Sequence, residues 1–147
     1  MEHLEYPTYE TWDQRRRWFE DLNEKYFRGG SCLVSDQACV LLADTQSAFC
    51  AGAWFAVIVL SMSVVDAQLR ETEVIGFRSD TKKLLVEAGA NPKLQQLRKR
   101  RNAIVHMDPS SPALTVDQQY ADRGQLEDEA REAVRLMFEA FYMGAGT

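Results

Sequence analysis

From Thr45 to Val65 the chain carries no formal charge, TQSAFCAGAWFAVIVLSMSVV, whereas on either side a charged residue returns every few positions. A run of this length approaches what a bilayer needs. Its contents argue against spanning. Gln46, Thr45, Ser47, Ser61 and Ser63 are polar, and Gly52 among small residues shortens the apolar core to 53–60. No aromatic belt or one-sided lysine cluster flanks it. The pattern predicts a central helix buried on most sides by its neighbours, with a bend at Cys50-Ala51-Gly52-Ala53, because glycine weakens a helix interior.

The other segments are helical as well. Tyr9, Trp12, Leu22, Tyr26 and Phe27 place apolar positions along a first helix, with Arg15, Arg16 and Arg17 read as a solvated cluster. Arg28-Gly29-Gly30-Ser31 ends it. Ser35 offers an N-cap to a helix carrying Val40, Leu41, Ala48 and Phe49. After the bend, a long helix over about 54–73 closes in Asp66, Arg70 and Glu71. Ser79 or Asp80 then caps a short helix with Leu84, Leu85 and Val86, which Gly89 stops.

Asn91-Pro92 predicts the next start, a capping side chain followed by proline at the first helical position. That helix carries Leu94, Leu97, Ile104 and Val105, and Pro109 ends it near Met107. DPSSPALTV reads as a loop. A last helix over about 125–142 presents Leu126, Ala130, Val134, Met137 and Phe141 on one face, with Glu127, Asp128 and Glu129 in its first turn. No alternating strand pattern of useful length occurs. The expectation is an all-α four-helix bundle over 35–147, with an N-terminal helical arm at 1–34 and a short extra helix.

At 147 residues, 46% hydrophobic and 27% charged, the composition is that of one ordinary globular domain. Cys32, Cys39 and Cys50 are odd in number and lack metal spacing, so they read as small buried hydrophobes in a reducing compartment. The polar opening MEHLEYPTYETWDQRRR does not resemble a signal peptide, which makes the cytoplasm the expected location, with no membrane partner.

Phosphate-binding, dinucleotide-binding and nucleophile-elbow motifs are absent. With His3 close to the terminus, His106 is the histidine expected to be held in structure, and no cysteine or carboxylate spacing supplies a metal site. No cofactor is expected. Chemistry therefore concentrates in RKRRNAIVHMDP, residues 98–109, where four cations precede a histidine in a chain of net charge -5. Imidazole exchanges protons near neutral pH. Guanidinium is the cation shaped to hold a phosphate. Asn102 and His106, four apart, share a face of an ideal helix. Arg101 lies roughly 140° round from His106 at 3.6 residues per turn, so it must curl round to act beside it, or two copies of the motif must face each other.

Arg101-Asn102-x-x-x-His106, late on a helix of an all-α domain, resembles the R-x4-6-H signature of the HEPN superfamily, in which a polar residue commonly follows the Arg. The stretch SDQACVLLADTQSAFCAGAWFAVIVLSMSVVDAQLRE is similar to that family's paired central helices, and the likeness covers about 35–142. A bare Arg and His at this spacing arise readily by chance. The Asn, the proline start and the Asp-Pro stop sharpen the match.

The resemblance implies metal-independent RNA cleavage in a composite cleft of a homodimer, within a toxin, abortive-infection or defence system. In that reading His106 handles the proton of the 2′-hydroxyl or leaving oxygen and leaves a 2′,3′-cyclic phosphate. Arg101 holds the scissile phosphate, and Asn102 orients His106 or bonds the RNA backbone. Asp66 positions Arg101 or simply caps the buried stretch. Among Arg98, Lys99 and Arg100, which fan around the helix, at least one contacts substrate. Some HEPN toxins carry Tyr two residues after the His, where an antitoxin modifies it. Asp108 stands there, so any partner controlling this chain must act otherwise. The competing readings are a non-catalytic HEPN-like nucleotide- or RNA-binding module and an unrelated all-α interaction protein.

Overall fold

Seven α-helices and no strand form among residues 6–144, the residues described by the computed structural model. They are α1 (Tyr9–Phe27), α2 (Asp36–Ala51), α3 (Trp54–Gln68), α4 (Thr81–Glu87), α5 (Lys93–Val105), α6 (Val116–Tyr120) and α7 (Arg123–Phe141). No helix among these residues is long and apolar enough to cross a membrane. His3 lies outside them.

α2 and α3 are the two halves of the uncharged run. Ser35 caps α2 by accepting from the Ala38 amide at 3.1 Å. Gly52 closes α2 in the left-handed region, at φ 77°, which glycine adopts without a Cβ penalty. α3 is buried along most of its length through Trp54, Val57, Ile58, Met62, Val64 and Val65, because α2, α5 and α7 pack around it. α7 buries the expected stripe and adds Ala133, Leu136 and Phe138.

Two polar knots hold α3 at its ends. At the first, the α2 carbonyls exposed by the bend find cations from elsewhere in the chain. Arg15 of α1 donates to Cys50 O at 3.2 Å, and Arg123 of α7 donates to Gly52 O at 2.7 Å. Both guanidiniums lie over the Trp54 ring, 4.8 and 6.0 Å from its centroid. Arg15 also pairs with Glu127 at 3.9 Å. Arg15 is therefore buried rather than solvated, which corrects the reading of the three-arginine cluster. Arg16 and Arg17 do bind Asp13 at the surface.

The second knot is Gln68. Its Oε1 accepts from the Ser35 amide at 2.9 Å, and its Nε2 donates to Leu33 O at 2.8 Å and Phe141 O at 3.4 Å. Beyond it the helix widens to a π turn over Leu69–Glu73, so the long element reaches its expected end in a different register.

Residues 1–34, set apart in the sequence as an arm, contain a helix that packs on α2 and α7. Phe19 joins the common core and rings with Phe49 and Phe138. Of the cysteines only Cys50 is buried; Cys32 is half-buried and Cys39 exposed, all free thiols. Burial pushes the Cys50 thiol above its ordinary value. α6 is absent from the sequence reading, although Thr115 and Gln118 form a reciprocal capping box that marks its start.

Arg15→Ala should lower unfolding free energy by about 2–4 kcal/mol, through lost packing and an unpaired carbonyl, whereas Arg17→Ala stays within about 0.5 kcal/mol. Ser61 Oγ is buried with no hydrogen-bond partner among the described residues. Ser61→Ala should accordingly raise stability by about 1 kcal/mol. Urea unfolding measures all three.

Candidate functional site

α5 begins at Lys93, one residue later than proline at the first helical position would give. Asn91 Oδ1 accepts from the Lys93 amide at 3.0 Å, and Pro92 sits in helical conformation just outside. Leu94 and Leu97 turn inward against the core. The helix ends at Val105 rather than near Met107. Asp108, restricted by Pro109, folds its carboxylate onto Ser110, accepting from its amide at 3.0 Å and its hydroxyl at 2.7 Å. These bonds hold the Asp108 carboxyl below its usual range.

His106 is consequently the C-cap of α5. Its amide still donates to Asn102 O at 2.9 Å, but its backbone is extended, at φ -115° and ψ 109°. That φ departs from the helical value by about 50°, which swings the side chain out of the helix register. The shared face expected of Asn102 and His106 is thereby modified. Both remain at the same end of α5, and the imidazole stands exposed beside the exposed Val105 and Met107.

Arg101 bends toward its neighbour. Its Nε donates to Asn102 Oδ1 at 2.8 Å, and it makes no ion pair among the described residues. Asn102 thus touches both partners, one through its side chain and the other through its carbonyl. Arg98 likewise has a neutral partner, donating to Gln95 Oε1 at 2.9 Å, and Lys99 is exposed.

Arg100 is different. It faces α7, where Glu129 takes it at 2.5 Å, and Ala113 O accepts from it at 3.0 Å. It also lies over Phe55, 5.9 Å from the ring centroid. Its charge is spent on tying α5, α7 and the 106–115 loop together. Arg98, Lys99 and Arg100 do fan around the helix, and Arg100 leaves the substrate-facing set.

Asp66 does not stand beside Arg101. Phe55 at the start of α3 meets Arg100 late on α5. Asp66 bonds Thr81, next to the Lys82 carbonyl that takes Gln95 early on α5, so the two helices run antiparallel. Asp66 lies eleven residues beyond Phe55 along α3. At 1.5 Å per residue that is about 16 Å away. Asp66 instead accepts from Arg70 at 2.7 Å and from Thr81 Oγ1 at 2.7 Å. Arg70 extends the same cluster by donating to Ser79 O at 2.8 Å and Phe77 O at 3.3 Å. Asp66 therefore fastens the start of α4.

α4, expected from the sequence as a short helix but given no part in the site, borders it. Lys82 O accepts from Gln95 Nε2 at 2.9 Å, and Gln95 in turn holds Arg98. The available signal is charge bias. Residues 78–101 carry eight Lys and Arg against two acids, a net +6, leaving -11 for the remainder. No group of three or more His, Cys, Asp and Glu among the described residues could hold a metal ion.

Asp66→Ala should cost about 1–3 kcal/mol, because it strands Arg70 and Thr81. It should also raise amide hydrogen exchange across 76–87 while leaving α7 protected. No family model, curated protein or solved structure matches the chain.

Proposed function

We propose that the chain is a metal-independent endoribonuclease of a toxin, abortive-infection or defence system, working through Arg101, Asn102 and His106. The observation that carries this reading is the pairing state of the cations. In an acidic chain whose arginines mostly have carboxylate partners, Arg101 has among the described residues a neutral amide as its partner, at the same helix end as an exposed imidazole. A guanidinium without a carboxylate, at the same helix end as an exposed imidazole, supplies the two parts that a phosphate site with a proton carrier needs.

The chemistry is an internal transfer. One imidazole takes the proton of the 2′-hydroxyl, the 2′-oxygen attacks phosphorus, and the 5′-oxygen leaves with a proton. The products are a 2′,3′-cyclic phosphate and a 5′-hydroxyl. Arg101 binds the non-bridging oxygens and stabilises the charge they gain. Asn102 fixes the guanidinium through the bond to Nε, leaving both Nη groups for the phosphate.

Attack and departure occur on opposite sides of phosphorus, so one His106 does not serve both ends. A second copy supplies the other imidazole, giving a homodimer with a composite cleft. Met107, 88% exposed, and Val105, 48% exposed, are the apolar positions available for that contact.

The test is cleavage of single-stranded RNA in EDTA with detection of cyclic phosphate ends. His106→Ala should lower the rate by about 10²–10⁴ and, being at an exposed position, leave thermal stability unchanged. Arg101→Lys, which keeps charge but loses the planar fork, should remain well below wild type. Met107→Asp should shift the chain toward monomer in light scattering and lower activity with it. Cleavage that survives His106→Ala, or that requires Mg²⁺, overturns the mechanism.

A further inference from the structure

The catalytic group occupies one end of a longer positive surface. On α5, Gln95, Arg98, Lys99 and Asn102 fall within about 100° of one another at 3.6 residues per turn, on the side that meets α4. The hydrogen-bonded row from Arg98 to Gln95 to Lys82 O makes the two helices one surface. Asn102 draws the Arg101 guanidinium onto the same side.

Lys82, whose carbonyl ends that row, and Lys83 are exposed, as is Arg78 in the turn before α4. These two lysines border a shallow groove of about 370 Å³ with Phe77, Ser79 and Val86, and Glu87 stands in it as the single acid. Outside this region acids predominate.

We propose that this α4–α5 strip is a binding track for the backbone of single-stranded RNA, which runs from the scissile phosphate at Arg101 past Arg98 and Lys99 to Lys82 and Lys83. A base would rest in the groove beside Phe77. Cations in a row with an aromatic at one end suit a flexible polyanion whose bases are free to stack. A duplex or a mononucleotide would leave one end of the row unused. The inference rests on the ribonuclease reading for the position of the scissile phosphate, and it adds the substrate's path and class.

The probe is a fluorescein-labelled single-stranded RNA of mixed sequence, bound to the full chain carrying His106→Ala. Adding Lys82→Glu with Lys83→Glu should weaken binding at least about tenfold. The slope of log affinity against log salt should shrink by about 1.4, the value for two phosphate contacts on a single strand. Arg17→Glu with Lys25→Glu on α1 makes the same change in net charge and should leave affinity within about twofold. Circular dichroism melts verify that each variant folds.

Equal affinity in the Lys82/Lys83 variant, or an equal loss in the α1 control, overturns the track. Kinetics with active His106 separate the two readings. If wild type cleaves and the Lys82/Lys83 variant shows an unchanged KM, the track fails and the nuclease stands. If wild type does not cleave but binding still depends on Lys82 and Lys83, the nuclease fails and the track stands. If wild type neither binds nor cleaves this RNA, both fall.

Discussion

The reversal between α2 and α3 is the constraint on which the rest of the molecule depends. Two apolar helices joined by a tight bend leave the last carbonyls of the first helix without amide partners, in a place that neighbouring helices cover. An apolar residue there would leave those carbonyls unsatisfied. A long guanidinium satisfies them while laying its plane on an indole. Arg15 and Arg123 both do so, on the two sides of the chain's ends, and Trp54 is the surface they share. The first and last long helices are thereby anchored to the same turn.

Once α3 is held at that turn and again at Gln68, the site follows geometrically. α5 packs along α3, and Leu94 and Leu97 set its rotation. With that rotation Arg100 must meet α7, while Arg98 and Asn102 must meet the α4 side. The four consecutive cations therefore divide by the angle between successive residues, not by chemical type. Glu129 cancels one of them, and neutral amides hold two others.

Much of this was legible in the chain. The uncharged run, the Gly52 bend, the Asp80 and Ser35 caps and the stripe of α7 all follow from local pattern. These depend on interactions within a few residues, which sequence spacing records. What was not legible depends on distant partners. Helix spacing puts Arg15, four residues before Phe19, on the inward stripe of α1, but only its meeting with Cys50 O and Trp54 explains why an arginine is buried there. For Asp66 two roles were open, positioning Arg101 or capping the buried stretch. Its partner Arg70 is one helical turn away, a spacing the sequence records, whereas its separation from Arg101 depends on how α3 and α5 pack. The end of α5 was overrun because the carboxylate of Asp108 competes for the backbone, which helix periodicity does not register. α6 was missed although its capping box is local.

The separation of charge described for residues 78–101 has a further consequence, in the rate and orientation of encounters. A molecule with a positive strip on an otherwise negative body has a large dipole moment. A polyanion approaching from most directions is repelled, and the torque it exerts turns the strip toward it before contact. Productive collisions are thus selected by orientation while the partners are still separated by solvent. Because this selection acts over a Debye length of about 8 Å at physiological salt, it fades as ionic strength rises, even where the final contacts are unchanged.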